Sequence, residues 1–264
     1  MAAKTPTFVE LYAGLASVSL YLCGGKPPVS RIGAKTGYAR AIAKTLGVEP
    51  GQIRKFLLVD RDPSVCEVLE VLTSGKVDGV IKHLRRWKQD RKTWEFLRGS
   101  KFHGDHEAAR WLFVTAASRG GIGGFKGKHK LRPSVDGFIP TIDSLCKRLD
   151  RLDLGGARFR VKCARAEDIK PFDNAIVYLD PPYQGRQAYL SPVGARAAMS
   201  EGVMTLPTQV FERWRLAGAR VAMSEGAKLE IDGARVVNIS KRRVGQSRRS
   251  MTRSTRELLY VASS

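Results

Sequence analysis

The residues from Ala175 to Leu179 form an unbroken apolar segment, which is followed at once by Asp180, Pro181 and Pro182. A short, fully apolar segment of this kind is typical of a β-strand that is buried on both faces. Such strands occur in parallel sheets that carry helices on both sides. Two consecutive prolines cannot continue the strand, because they lack the backbone N–H donors of a sheet. The segment therefore predicts a central parallel strand that ends at Asp180.

Apolar segments of strand length alternate with segments of helical periodicity along most of the chain. The predicted strands are 8–12, 56–59, 158–163, 175–179, 219–223 and 257–262. The predicted helices are 18–22, 38–46, 63–72, 142–152 and 207–217. This alternation is typical of a doubly wound α/β fold with a mainly parallel sheet, which binds its ligand at the carboxyl ends of the strands.

Residues 84–133 interrupt this alternation with a basic, aromatic and largely helical insertion. It holds thirteen Lys or Arg and four acidic residues, whereas residues 241–256 hold seven basic residues and no acidic one. Concentrated positive charge favours contact with nucleic-acid phosphates, because binding releases condensed counterions. Within the insertion, Trp94 and Trp111 are predicted to form a small core of its own. The residues expected to contact nucleic acid are Arg85, Arg86, Lys88, Arg119, Lys126, Lys128, Lys130, Lys241, Arg242, Arg243, Arg248 and Arg249.

The tetrapeptide Asp180-Pro181-Pro182-Tyr183 carries groups that can hold an amino group attached to a conjugated ring. The lone pair of such an amino group is delocalised, so the group is a poor nucleophile. A carboxylate and a prolyl carbonyl that accept its two hydrogens would localise the lone pair toward an incoming methyl group. An aromatic ring beside the base adds stacking of about 1–3 kcal/mol. The alternative interpretation is a structural turn after the strand.

This tetrapeptide resembles the catalytic motif of amino methyltransferases, and its leading Asp is typical of enzymes that act on adenine N6. The cytosine-N4 enzymes more often begin the motif with Ser. By this resemblance, Asp180 and the carbonyl of Pro181 hold the target amino group. Pro182 completes the stiff turn, and Tyr183 stacks on the base.

The order of a glycine turn, an insertion and this motif resembles that of the α-group, Dam-like DNA adenine methyltransferases, of phage or mobile-element type. The resemblance implies a Rossmann-like class I methyltransferase fold. Residues 1–83 and 134–264 would form the catalytic domain that binds S-adenosyl-L-methionine, and 84–133 the target-recognition insertion. The implied reaction methylates adenine in duplex or single-stranded DNA, with short or relaxed sequence specificity, as in restriction-modification. A cytoplasmic location, in a bacterium or an infected host cell, is expected.

The segment from Glu10 to Gly14 resembles the cofactor turn of the same family, in which an acidic residue precedes a glycine turn. The resemblance implies that Glu10, Tyr12, Ala13 and Gly14 line the S-adenosyl-L-methionine site. Glycine at this point lets the backbone approach the methionine part of the cofactor. Ala16 stands where the family has a second glycine.

Three further residues are assigned to the cofactor. Asp60 ends the second predicted strand, where an acidic residue accepts hydrogen bonds from ribose hydroxyls. Asp62 is its rival, with helix capping as the alternative role. By resemblance, Asp168, preferred over Glu167, contacts the cofactor adenine. Lys35 lies in a segment that resembles the family's Gly-Gly-Lys element, although in the relatives this element usually precedes the first strand.

Other functions remain open. RNA methyltransferases that modify rRNA also carry such a motif, although they usually keep the two motifs closer together. An inactive DNA-binding protein on a methyltransferase scaffold is a third possibility, against which the intact motif argues. A nicotinamide-dependent oxidoreductase would leave Asp180 to Tyr183 without a role. The four cysteines form no CxxC pair, so neither a metal site nor a disulfide framework is predicted. No apolar segment is long enough to span a membrane.

Overall fold

A computed structural model of the chain describes residues 5–29, 35–118, 142–182, 206–226, 228–240 and 257–263. The strands are β1 Thr7–Leu11, β2 Lys55–Asp60, β3 Arg158–Cys163, β4 Ala175–Leu179, β5 Arg220–Glu225, β6 Arg235–Asn238 and β7 Leu258–Ala262. The helices are α1 Ser17–Leu22, α2 Ala39–Thr45, α3 Pro63–Ser74, α4 Asp78–Arg86, α5 Arg91–Gly99, α6 Gly104–Ala117, α7 Ile142–Asp150 and α8 Pro207–Leu216.

The strands form one sheet in the order β3-β2-β1-β4-β5-β7-β6. Strands β1 to β5 are parallel, whereas β7 runs antiparallel to both of its neighbours. The prediction of a mainly parallel α/β sheet is confirmed. The short strand β6 was not predicted, because its four residues lie at the sheet edge and are mostly exposed.

The centre of the sheet lies between β1 and β4, as the apolar sequence of β4 predicted. Every residue of β4 is buried. Leu11 of β1 pairs with Val59 of β2 on one side and with Leu179 of β4 on the other. The chain order reverses at this point, with β2 and β3 on one side and β4 and β5 on the other. In open α/β sheets this reversal forms the crevice in which ligands bind.

The two faces of the sheet are covered differently. Helices α1 to α7 pack on one face, and α8 packs on the other, among the described helices. Trp94 and Trp111 are buried in a cluster that also contains Leu58 of β2 and Val68 of α3. The predicted separate core of the insertion is therefore wrong, because its helices extend the main core. No described helix combines the length and apolarity needed to cross a membrane.

Candidate active site

The ends of β1, β2 and β4 bring the predicted site residues to one edge of the sheet. Two backbone hydrogen bonds extend the β1–β2 and β1–β4 pairings beyond the carboxyl ends of the strands. The Ala13 amide donates to the Val59 carbonyl at 2.9 Å, and the Asp180 amide donates to the Leu11 carbonyl at 3.2 Å. The turn after β1 therefore lies between the acidic end of β2 and the first residue of the Asp-Pro-Pro-Tyr motif.

The turn after β1 alternates into the left-handed region of backbone space. Tyr12, Gly14 and Ala16 have φ angles of 58°, 53° and 48°. This conformation is unfavourable for residues with a Cβ atom, which explains glycine at position 14. Among the described residues other than its chain neighbours, an added Cβ at Gly14 would meet the Tyr12 carbonyl oxygen alone, at 3.9 Å. Ala16 takes the same backbone region with a buried methyl group.

Glu10 is buried beneath this turn and binds the first turn of α1. Its carboxylate accepts hydrogen bonds from the Ser19 amide at 2.8 Å, the Ser19 hydroxyl at 2.5 Å and the Val18 amide at 3.4 Å. Burial raises the pKa of Glu10 to about 7, although these hydrogen bonds oppose the shift. Glu10 therefore fixes the turn by capping α1, and its direct contact with a cofactor stays a prediction.

Asp60 joins the turns that follow β1 and β2. One carboxylate oxygen accepts from the Gly14 amide at 2.9 Å, and the other accepts from the Asp62 amide at 3.0 Å. A contact of Asp60 with ribose hydroxyls stays a prediction. The Asp62 carboxylate instead caps α3 through the Ser64 amide at 3.1 Å, which confirms the capping role considered for it.

The two acidic residues after β3 face different surroundings. Glu167 is half-buried and pairs with Arg165, and its charge acts on Tyr12. Burial, reinforced by Glu167, raises the pKa of the half-buried Tyr12 hydroxyl. Asp168 is exposed and lines a cavity on the face of the sheet beside β2 and β3. A cofactor contact of Asp168 stays a prediction, and Glu167 is the acidic residue that interacts with the turn.

Lys35 connects the Asp-Pro-Pro-Tyr motif to the start of the last strand. It is buried, and its ammonium nitrogen lies 3.0 Å from Asp180 Oδ1 and 3.1 Å from Glu257 Oε1. Lys35 begins a short 3-10 turn before α2, and the Thr36 hydroxyl of this turn lies 3.2 Å from the Ser17 hydroxyl of α1. Lys35 thus reaches the edge of the sheet although its segment follows β1 in sequence.

Burial and three neighbouring charges together determine the pKa of Asp180. Burial raises the pKa of Asp180 to about 6, Lys35 opposes the shift, and Glu257 and Glu225 add to it. Burial lowers the pKa of the Lys35 ammonium, but the Asp180 and Glu257 carboxylates outweigh it, so the pKa lies above its usual value. A fifth of the Asp180 side chain is exposed, so a ligand can reach its carboxylate.

Sequence reasoning missed two buried acidic residues at this edge, Glu225 and Glu257. Glu225 ends β5, and Glu257 directly precedes β7, whose first residue pairs with Glu225. Glu257 is the first acidic residue after the basic segment 241–256 and stands next to a fully apolar strand. This position was the one feature of the sequence that could have marked Glu257 as a candidate site residue. The antiparallel pairing that brings it to Asp180 could not be read from the sequence.

The rest of the predicted site is described only in part. Pro181 is buried and Pro182 exposed, while Tyr183 lies outside the described residues. Arg85 and Arg86, in the last turn of α4, and Lys88 are exposed, as nucleic-acid contacts require. The other predicted basic contacts lie outside the described residues: Arg119, Lys126, Lys128, Lys130, Lys241, Arg242, Arg243, Arg248 and Arg249.

Comparisons with known proteins add no family to this geometry. No protein-family model matches the chain, and no curated protein is significantly similar to it in sequence. The described residues contain no group of three or more His, Cys, Asp or Glu arranged to hold a metal ion. The functional interpretation therefore depends on the arrangement of Asp180, Lys35, Asp60 and the Gly14 turn.

Proposed function

We propose that this chain is an S-adenosyl-L-methionine-dependent methyltransferase that acts on the exocyclic N6 amino group of adenine in DNA. One observation carries the proposal: a buried Lys35 orients the reachable Asp180 carboxylate beside the Gly14 turn and Asp60. A purely structural Pro-Pro turn would not need a buried cation against its acidic residue. An inactive scaffold would likewise have no use for this paired carboxylate.

The residues around the turn fit S-adenosyl-L-methionine. Gly14 carries no Cβ that would crowd the turn, Asp60 places a carboxylate beside it, and Tyr12 offers a half-buried ring. Asp60 would hold the ribose hydroxyls, and the turn would lie along the methionine part. When bound, the cofactor supplies a methyl group on a positively charged sulfur. An acidic residue at the end of the second strand serves the same purpose in other nucleoside-binding sheets.

Asp180 would hold the target amino group and receive its proton. Lys35 is bonded to Oδ1, so Oδ2 is the oxygen for an adenine N6 hydrogen. The second N6 hydrogen would go to the Pro181 carbonyl, as the resemblance implies. Asp180 must be ionised to accept, and Lys35 favours that form. In a duplex the adenine must first leave the base stack, which costs roughly a few kcal/mol.

The sheet order bears on the oxidoreductase alternative. Dinucleotide-binding sheets have the order 3-2-1-4-5-6, whereas here the antiparallel β7 separates β5 from β6. The order found is compatible with a Rossmann-like methyltransferase fold. A nicotinamide enzyme would also leave the Lys35–Asp180 pair without a role.

The proposal is tested by methyl transfer from isotope-labelled cofactor to duplex DNA, single-stranded DNA and rRNA fragments. Nucleoside mass spectrometry should detect labelled N6-methyladenine in DNA, and Asp180→Asn should abolish it. Asp62→Asn is the matched control, because Asn also caps helices and Asp62 lies near the same edge. Label in N4-methylcytosine would refute the base assignment, and label only in RNA would refute the DNA assignment. Absence of cofactor binding by calorimetry would refute the proposal as a whole.

The degree of specificity follows from the charge distribution. Phosphate contacts position a protein on DNA but carry no sequence information. With thirteen and seven basic residues in two segments, we expect a short or relaxed target site. Long-read sequencing of DNA from cells that express the protein would report methylated positions and their context. Complete methylation of one longer site, with all other adenines unmodified, would contradict this expectation.

A further inference from the structure

Strand β3 presents a row of cations that lies outside both basic segments recognised in the sequence. Arg158, Arg160 and Lys162 alternate along the strand, so their side chains share one face, and all three are exposed. Alternate residues of a strand are about 6.6 Å apart. This distance is comparable to the separation of successive phosphates in an extended nucleic-acid strand.

The neighbouring strand adds a cation instead of a compensating anion. Lys55 of β2 pairs in register with Arg158 and is also exposed. Like charges directly opposite each other on neighbouring strands are destabilising. Within the described part of the chain, neither residue forms an ion pair. Among the described residues that line this surface, Asp168 is the one carboxylate, against the five cations Lys55, Arg158, Arg160, Lys162 and Lys170, so its net charge is positive.

No described helix covers this part of the sheet. Residues 164–174 connect β3 to β4 and contain only a 3-10 turn, although such crossovers usually carry a helix. A cavity of about 630 Å³ results, lined by the cations Lys55, Arg158, Arg160, Lys162 and Lys170. Leu57, Ile169 and Phe172 supply apolar lining, and Phe172 is 37% exposed. We call this cavity the β3 groove.

We propose that the β3 groove binds single-stranded nucleic acid. The phosphates would follow the cations of β3, and the bases would lie against the apolar lining, with one base on Phe172. Cations along a groove with an exposed aromatic ring are the combination that single strands require. A duplex keeps its bases stacked inside and could use the cations but not the apolar lining. The groove is separate from Asp180, so this inference does not depend on methyl transfer.

Another explanation exists for charges on an edge strand. Exposed cations at the edge of a sheet prevent pairing with the edge of another molecule. That role needs only charge, and it predicts no dependence on Phe172 and no preference for a single strand. The experiment must therefore separate binding in the groove from general positive charge.

Binding of fluorescent oligothymidylate, followed by anisotropy at several salt concentrations, makes this separation. The oligonucleotide contains no adenine, so the proposed target base is absent. The test variant carries Arg158→Gln, Arg160→Gln and Lys162→Gln. The matched control carries Arg40→Gln, Lys44→Gln and Lys76→Gln, which neutralise three exposed cations elsewhere. Circular dichroism and urea unfolding check that both variants are folded.

We expect the test variant to lose about 100-fold in affinity at 0.1 M salt and about two units of salt slope, since each phosphate contact contributes roughly 0.7 units. The control should keep the wild-type slope. Phe172→Leu should weaken binding about tenfold through lost stacking. Ultraviolet crosslinking of thymine should label the peptide that contains Phe172.

Four results would overturn the proposal. An unchanged affinity of the test variant would leave the cations with an edge-protection role. Equal losses in test and control variants would indicate non-specific attraction. Competition by polyglutamate as effective as by oligothymidylate, or equal losses for a duplex of the same length, would show that the groove does not select single strands.

Discussion

Two charged parts of the described structure differ in how their charges are paired. At the carboxyl edge, Lys35 is buried and bonded to two carboxylates. In the β3 groove, cations of β3 and β2 are exposed and face one another. Lys35 cannot be removed without leaving buried charge behind, whereas each groove cation is already solvated. The charge of Lys35 therefore affects the stability of the fold and the protonation of Asp180. The cations of the β3 groove remain available to bind a partner.

The two regions should also affect different measured properties, namely protonation at Asp180 and affinity for a partner at the β3 groove. Perturbed pKa values are found where burial and specific partners act together, as at Asp180. Exposed cations contribute instead through counterion release, which salt weakens. Substitutions in the two regions should therefore differ in size, in sign and in their dependence on pH or salt.

The largest effect is expected for Lys35→Met. It leaves Asp180 and Glu257 close together without their cation, and removal of one partner of a buried pair costs about 3–5 kcal/mol. Urea unfolding at pH 8 measures the loss. At pH 5 the loss should be smaller, because the Asp180 carboxyl, with a pKa of about 6, is then mostly protonated.

Lys44→Met is the control for this substitution. Lys44 is an exposed residue of α2, and its replacement should change stability by less than about 0.5 kcal/mol. A loss for Lys35→Met as small as that of the control would mean that the ion pairs contribute nothing. The double variant Lys35→Met, Glu257→Gln should recover part of the loss, because it removes one of the two carboxylates that face Lys35.

The next effect concerns Glu10 and its pH dependence. Because burial raises the folded-state pKa of Glu10 to about 7, from 4.5 in the unfolded chain, the native state binds this proton more tightly. Stability should therefore fall as pH rises from about 4.5 to 7, by on the order of 3 kcal/mol, and stay level above. Glu10→Gln removes this slope, and urea unfolding between pH 5 and 8 measures it.

Glu10→Gln also loses one acceptor for the α1 amides, at about 1–3 kcal/mol. The variant should therefore be clearly less stable than the wild type at pH 5 and approach it at pH 8. Asp180 titrates with the same sign, so a slope of similar steepness should remain below about pH 6 and the difference between the proteins should be read between pH 6 and 8. A difference between wild type and variant that is constant with pH would contradict the buried, proton-binding state of Glu10.

Most of the fold could be predicted because its elements are locally determined. The apolar run of β4 and the alternating pattern of β3 gave bounds that the structure reproduces. Pro63 and Asp62 marked the beginning of α3 correctly. The antiparallel β7–β6 pair was not predicted, because its direction depends on contacts with β5 rather than on its own sequence.

The site was predictable only where its residues follow strands. Gly14, Asp60 and Asp180 lie at the ends of adjacent parallel strands, so their shared edge followed from the pattern. Lys35 was selected by resemblance alone, and its contact with Asp180 depends on how the segment before α2 packs on α1. Glu257 reaches the site through a long-range antiparallel pairing, for which a single sequence gives no signal.

A smaller effect is expected when Glu257, which lies close to Lys35 and Asp180, is substituted. The Glu257 carboxylate helps to raise the pKa of Asp180, so Glu257→Gln should lower that pKa. Methyl transfer requires ionised Asp180 in our proposal, so its rate should fall as pH drops through about 6 in the wild type. In the variant this decline should occur at lower pH, with activity at pH 5 severalfold higher relative to the plateau.

Carboxyl NMR titration of Asp180 gives the same information without activity. A merely structural role of Glu257 would lower the rate at every pH and leave the Asp180 titration where it is. Asp232→Asn is the control, because Asp232 is an exposed carboxylate outside this cluster. An unchanged midpoint in Glu257→Gln would show that the Glu257 charge does not act on the Asp180 carboxyl.

The smallest expected effect is a gain in stability, whereas Lys35→Met should cause a loss. Arg158→Gln removes one of two like charges that face each other across β2 and β3, so the protein should gain roughly 0.2–1 kcal/mol. The gain should shrink in 1 M salt, where the Debye length is only about 3 Å. Arg158→Glu should gain more, because it would face Lys55 as an opposite charge. Urea unfolding at low and high salt measures both.

Arg158 also has an apolar stem that can cover Leu57 and its neighbours. A loss of stability in Arg158→Gln that does not respond to salt would show that packing of this stem outweighs repulsion, and that the charge of the β3 groove is not held at the expense of the fold.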